Sequence, residues 1–329
     1  MLEVFKKKSK FRIILISFLV LFIISCNQKS KEQKEAAKLP IEMELVRLDQ
    51  ILYESDVRDF PKIRREFSSF FPSQFPDSIF INKITNPLYQ QLYKEVKKTF
   101  SDDKELVESF VPTLQLIKYH FPQIKLPNKM IGLISDMDYE NKVILTDSVL
   151  IVSLDLYLGA EHKFYDDFYD YQRQNFKKEM MVSDLVSDFA TYVVEPNKDR
   201  SLMAQMIFHG KELYLKDILL PNTLEEHKIG YTKAHLDWCK ENEGNIWRYF
   251  IENNLLFDTS FHAYQRFLEP GPFSKFYMEF DNETPGRIGA WVGWQIVRNL
   301  MNNNKVPLQQ MLQMDAKEIL ELSKYKPKN

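Results

Sequence analysis

Lys129-Met130-Ile131-Gly132-Leu133-Ile134-Ser135, followed by Val143-Ile144-Leu145-Thr146 and Val149-Leu150-Ile151-Val152-Ser153, is the stretch on which the fold turns. These are short β-branched runs separated by the turn-forming residues Asp136, Asp138 and Asn141. That spacing predicts adjacent strands of a small sheet. Upstream, Glu42 to Arg47 partly alternates, as a half-buried strand does. The rest of the chain reads as helix. From Leu48 to Phe121 apolar residues recur at helical period, punctuated by Pro61, Pro72, Pro76, Pro87, Pro112 and Pro122. Proline lacks an amide hydrogen and clashes with the preceding turn, so several modest helices are expected, each ended or kinked at a proline. Helical period returns from about Gln174 to Val194, from Ser201 to about Leu215, from Thr232 to Asn253 and from Pro285 to Asn302. A last helix is expected after Asp315, which stands in capping-box spacing with Glu318. No internal repeat is present. The fold class is therefore α+β, predominantly helical with a small central sheet.

Composition agrees with a well-filled interior. Of 329 residues, 44% are hydrophobic and 14% aromatic, with nine glycines, which favours helix and assigns most Phe and Tyr to a core. The 44 basic and 46 acidic residues nearly cancel, so no whole-chain field draws the protein to nucleic acid. The N-terminal segment has its own logic. Lys6, Lys7, Lys8, Lys10 and Arg12 precede an apolar run from Ile13 to Ile24, which ends in Ile23-Ile24-Ser25-Cys26. This is the pattern of a lipoprotein signal: residues 1–25 as leader, Cys26 as the acylated residue, and a run shorter than the roughly 18 apolar residues of a membrane span. Residues 26–40 are expected to form a lipidated, solvated tether, because Asn27 to Lys38 lacks large apolar side chains. Residues 41–329 are expected to form one α+β domain.

The chemistry-bearing residues are scattered. No two of the six histidines stand at i, i+4, no Cys-x-x-Cys or Gly-x-Ser-x-Gly occurs, and no glycine loop suits a phosphate, so the sequence implies no metal or cofactor. Two helical segments still stand out. Around Asp184, an apolar stripe (Met180, Met181, Leu185, Val186, Phe189, Val193) accompanies Ser183, Asp184, Ser187 and Asp188. Ser183 and Ser187 share a face. This is either an amphipathic helix with a solvated side or one wall of a site. In Pro285–Arg298, residues Arg287, Trp291, Trp294 and Arg298 fall on one stripe, and Gly289 and Gly293 form a small-residue notch on another. That segment is either a buried helix ended by arginines or an Arg/Trp surface for a protein partner. Phe67 to Phe80 is an aromatic, proline-rich connection expected to pack onto the body, and Glu161 to Asp170 mixes aromatics with acids like a loop covering something.

With these residues in view, the chain resembles the GldB family, the gliding-motility lipoproteins of Bacteroidota. The resemblance is carried by the lipobox, Ser153-Leu154-Asp155-Leu156-Tyr157-Leu158-Gly159 and Met206-Ile207-Phe208-His209-Gly210-Lys211. It continues through Ile229-Gly230-Tyr231-Thr232, Asn242-Glu243, Pro270-Gly271-Pro272-Phe273 and Pro285–Arg298, and ends with Ser323-Lys324-Tyr325-Lys326-Pro327. Asn299-Leu300-Met301 departs from the aromatic-Met pair expected there. The resemblance implies a lipid-anchored protein needed for gliding, linked to type IX secretion, with no established reaction. The layout is also similar to zincin metallopeptidases. Ser183-Asp184-Leu185-Val186-Ser187 then stands where His-Glu-x-x-His would be, and His209-Gly210 where Glu-Gly would be. Hydroxyls replace both imidazoles, so the resemblance implies a zincin-like scaffold with a degenerate metal site at Ser183, Asp184, Ser187 and His209.

Three functional readings are open. The first is a non-enzymatic component held at a membrane by acyl chains, facing the periplasm and contacting gliding and secretion proteins. The second is a hydrolase using Asp184 with Asp188 or Glu195. The third is a binding protein for a small molecule, such as a peptidoglycan fragment, with the aromatic loop as lid; a pocket of about 300–1,000 Å³ would favour it.

Overall fold

The computed structural model describes residues 30–327; the leader and Cys26 lie outside the described residues. The chain runs through α1 (Lys31–Ala36), β1 (Glu44–Arg47), α2 (Leu48–Glu54), α3 (Phe60–Glu66), α4 (Asp77–Thr85), α5 (Pro87–Thr99) and α6 (Asp103–His120). Three strands come next: β2 (Lys129–Leu133), β3 (Val143–Leu145) and β4 (Leu150–Ser153). Downstream come α7 (Asp170–Arg173), α8 (Met181–Val193), α9 (Leu202–Leu219), α10 (Glu225–Ile229) and α11 (Lys233–Glu252). The chain closes with α12 (Phe261–Phe267), α13 (Ile288–Asn303), α14 (Leu308–Gln313) and α15 (Ala316–Ser323). The protein is predominantly helical with one small mixed sheet, as the sequence implies.

The sheet order is β1-β2-β4-β3. β1, β2 and β4 are parallel, and β3 returns antiparallel along β4, with Ile144 opposite Ile151. Parallel neighbours need a long crossover, and α2 to α6 supply it between β1 and β2. β3 is an edge strand, and an edge leaves backbone groups unpaired. Here α8 covers it: Leu145 N–H donates to Asp188 Oδ2 at 2.8 Å, and Tyr192 Oη donates to the Leu145 carbonyl at 2.6 Å.

The main core centres on α9 and α13, whose side chains are buried on most sides. The glycine notch of the sequence does the close packing. A Cβ on Gly293 would lie 1.7 Å from the Met206 carbonyl oxygen, and one on Gly210 would lie 2.3 Å from the Gly293 carbonyl carbon. The two helices therefore touch backbone to backbone. Side-chain caps fix the helix starts: Asp102 for α6, Ser201 for α9, Thr232 for α11 and Asp315 for α15. Each accepts from amides that the first turn leaves without an intrahelical partner.

Three expectations need correction. The segment expected as a solvated tether contains α1, whose Ser30 and Gln33 form a reciprocal capping box and whose Ala36 is buried. Side chains of α6 hold the residues between α1 and β1, Gln115 donating to the carbonyls of Ala37 and Leu39 and Lys118 to that of Pro40. Borrowed hydrogen bonds and one small buried residue replace the large apolar side chains that the composition lacks. Second, α6 continues through Pro112, while Pro61 and Pro87 lie in the first turns of α3 and α5, where the missing amide hydrogen costs nothing. Third, the Phe67–Phe80 connection forms a satellite core with α3 and α4 apart from the main one, its Phe60, Phe71 and Phe80 rings 5.1 to 5.7 Å apart.

Candidate functional site

Ser183, Asp184 and Ser187 of α8 face protein rather than water. Asp184 accepts from Lys142 Nζ at 2.7 Å and from the buried Tyr157 hydroxyl at 2.8 Å. One turn on, Ser187 Oγ donates to Glu212 Oε1 at 2.8 Å. Lys216, four residues after Glu212 on α9, places its ammonium 3.4 Å from that same oxygen and donates to the Lys228 carbonyl at 3.0 Å. Ser183 Oγ meets that carbonyl at 3.4 Å. His209 Nδ1 lies 3.8 Å from Glu212 Oε2, too far for a hydrogen bond, and is buried with no hydrogen-bond partner among the described residues.

Thus Ser183, Asp184, Ser187 and His209, expected at degenerate metal positions, do gather in one place, around Glu212 and Lys216. Burial opposes ionisation of Glu212, but Lys216, with His209 and Arg287, more than offsets it and holds the carboxyl well below the usual range. Burial first, and then the Asp184 charge, push the Tyr157 phenol well above its ordinary value, so it remains a donor. The cluster contains three cations (Lys142, Lys216, Arg287) and two carboxylates (Asp184, Glu212), all within electrostatic reach of Lys216. Lysine ammonium groups stand among these carboxylates, and among the described residues no group of three His, Cys, Asp or Glu is placed to hold a metal ion.

The candidate hydrolase carboxylates have separate surroundings. Asp188 is committed to the β3 edge, where burial raises its pKa, and Glu195 is exposed beyond the end of α8.

Outward from the cluster opens a cleft of about 470 Å³, with Lys142 and Arg287 among its lining together with Tyr139, Tyr171, Tyr231 and His235. The segment just after the aromatic-acidic loop supplies one wall, Tyr171 to Phe176. The loop itself is pinned by Tyr165, buried and donating to the Asp155 carbonyl at 2.6 Å. Arg287 has a left-handed backbone, φ 58°. For a residue with a Cβ that conformation costs roughly 1–2 kcal/mol. A built turn enforces it. Tyr231 Oη donates to the Gly286 carbonyl at 2.8 Å, and Ser274 Oγ donates to the Pro285 carbonyl at 2.8 Å while accepting from Ile288 N–H. A Cβ on Gly286 would strike the Gly271 carbonyl oxygen at 2.2 Å, so only glycine admits the loop beside it.

The Arg287, Trp291, Trp294, Arg298 stripe is real, but it is not a partner surface at its centre, because Trp291 and Trp294 are buried. Trp294 Nε1 donates to Asp217 at 2.9 Å, and the Arg298 guanidinium sits 3.7 Å above the Trp294 ring while binding Asp217 and Glu225. Lys228 completes the group at 3.0 Å from Asp217. The stripe pattern alone does not distinguish a tryptophan covered by its own chain from one awaiting a partner.

Sequence reasoning missed Glu212, Lys216, Asp217 and Lys142. A signal existed: Lys211, Glu212, Lys216 and Asp217 interrupt an apolar helix from Leu202 to Leu219. Charges in a helix apolar on every side must be buried with partners.

No curated protein and no solved structure matches this chain, so the likeness to a zincin scaffold rests on the sequence pattern alone. No helix among the described residues is long and apolar enough to cross a membrane. A family model described as gliding motility protein GldB matches residues 29–327, which spans the sheet, the Ser183–Lys216 cluster and the Arg287 turn together. The chain therefore belongs to the GldB family of gliding-motility proteins.

Proposed function

We propose that this protein is a lipid-anchored component of the gliding apparatus that faces the periplasm and acts by contact rather than by catalysis. The observation that carries this reading is the closed polar cluster between α8 and α9. Its two carboxylates are engaged within the protein, Asp184 by Lys142 and Tyr157 and Glu212 by Ser187 and Lys216, which supports a structural role for them. General acid–base work needs groups within reach of the proton that moves. The family supports the gliding role. The lipobox supports the anchor at Cys26, and the near-zero net charge argues against nucleic acid as a partner. A link to type IX secretion rests on the resemblance, and so does a zincin-like scaffold with a degenerate metal site.

The test is complementation of a strain lacking the protein. Cys26→Ala should release the chain from membranes and abolish gliding. His209→Ala removes a half-buried imidazole whose Nδ1 makes no hydrogen bond, so it should leave fold, gliding and surface-protein secretion intact. Loss of gliding by a folded, anchored His209→Ala protein would refute the non-catalytic reading. In-cell crosslinking read by mass spectrometry would identify the contacts.

A further inference from the structure

We propose that the cleft above the Arg287 turn is a binding site for a small anionic ligand, a carboxylate or phosphate head seated on Arg287 with a neutral body against the tyrosines. Four observations meet there. The cleft, at about 470 Å³, has the size of a small-molecule site. In the cluster beneath it, Lys142 and Lys216 pair with Asp184 and Glu212, and Arg287 is ion-paired to neither carboxylate. The Arg287 guanidinium forms no hydrogen bond with a described residue, whereas Arg47 and Arg298 are each bound to two carboxylates. Finally, the chain places an arginine where its backbone calls for glycine, φ 58°, and holds it with the Ser274 and Tyr231 hydrogen bonds. A non-glycine residue kept in that region against its preference points to a use for the side chain.

The geometry also fits an anion in kind. A guanidinium offers a planar fork of donors that matches both carboxylate and phosphate. Arg287 is the N-cap residue of α13 and its side chain makes no capping bond; Ser274 Oγ takes the Ile288 amide, and the positive end of a sixteen-residue helix adds to the same potential. Tyr139 and Tyr171 stand in the walls, with Gln172 beside them, and offer ring faces and an amide to an uncharged body. Glu140 and Glu269 at the lining disfavour a second negative group, which restricts the ligand to one anionic head. This inference is independent of the non-catalytic reading, because it concerns occupancy of the cleft and not gliding.

Calorimetric titration of the purified full chain decides it, with three probes: trialanine bearing a free C-terminal carboxylate, trialanine amide, and inorganic phosphate. Binding of the free acid, at least about tenfold weaker for the amide, supports a carboxylate head; binding of phosphate alone supports a phosphate head. Arg287→Gly suits the left-handed backbone, so it should melt no lower than the parent while losing about tenfold or more in affinity. Arg287→Lys should recover part of the loss. The proposal is overturned if neither anion binds at millimolar concentration, if acid and amide bind alike, or if Arg287→Gly binds as the parent does.

Discussion

Replacing Gly293 by alanine isolates what joins the two central helices. The added methyl would sit 1.7 Å from the Met206 carbonyl oxygen and 2.3 Å from its carbon, both of them backbone atoms of α9 that no rotamer change can move. An ordinary carbon–oxygen contact needs about 3.4 Å, so the helices must part by well over an ångström. That movement would loosen a helix on which Trp291, Val292, Trp294, Ile296, Val297 and Leu300 are all buried. Overpacking a core costs about 1–3 kcal/mol and sometimes more, and a clash with backbone lies at the upper end. Alanine returns up to about 1 kcal/mol of helix propensity. The net loss expected is therefore about 2 kcal/mol. Unfolding entropy near 2.1 cal/mol/K per residue, over roughly 300 residues, converts this to a fall in Tm of about 3 °C. Differential scanning calorimetry would measure it beside Gly271→Ala, whose Cβ meets nothing nearer than 3.8 Å and serves as control. A Gly293→Ala protein melting within a degree of the control would refute the account of backbone contact.

The buried charges give further expected outcomes. Asp217→Asn should destabilise the protein by about 3–5 kcal/mol in denaturant titrations, because Arg298 and Lys228 then share a group that cannot neutralise them; adding Arg298→Met should recover part of the loss, and no recovery would locate the cost elsewhere. Lys211 is buried, and desolvation lowers its pKa to about 8 while it donates to the Leu312 and Met314 carbonyls. The folded state then binds fewer protons than the unfolded one between about pH 8 and the ordinary lysine value, so stability should rise across that window by at most about 3 kcal/mol and be lost again as pH falls through 8. Stability at pH 7 and pH 10, compared between the parent and Lys211→Met, reads this directly; an equal pH response in both proteins would remove Lys211 from the explanation.

How far the sequence carried the fold depends on the kind of signal. The three strands between Lys129 and Ser153 were legible because β-branched runs broken by Asp and Asn have little alternative to pairing. The Asp315 cap was legible for a similarly local reason, although its side chain accepts from Lys317 N–H and not from Glu318 as a capping box would have it. The helix expected from about Gln174 begins only at Met181. Before it, α7 lasts a single turn and Leu158 pairs with Lys177 across a β-bridge, a long-range contact that no local period encodes. In the site, position was legible but partnership was not. The face shared by Ser183 and Ser187 was found from spacing. Spacing could not say that Glu212 and Lys216 lie opposite, because that depends on how α8 meets α9. Trp291 and Trp294 show the same limit, since periodicity names the stripe and tertiary packing decides what covers it.

One helix, α9, takes part in most of the buried polar contacts. It contributes Gly210 to the backbone contact with α13, Glu212 and Lys216 to the cluster beside α8, Asp217 to the Arg298–Trp294 group, and Lys211 to the end of α14. Buried ion pairs add little net stability compared with well-packed apolar residues, yet removing one partner is costly. Their effect in α9 is therefore to fix geometry: each charge can be satisfied only when a particular neighbour sits at a particular height along the helix. The Arg287 turn lies where that constraint ends, immediately before α13, with its guanidinium within electrostatic reach of Glu212 and Lys216 and its left-handed backbone held by Ser274 and Tyr231. A scaffold that needed only rigidity could place glycine there without the strain that a Cβ brings. Keeping an arginine at this position, above a core whose other charges are already balanced, is the strongest physical reason to look for function in the cleft and not in the cluster beneath it.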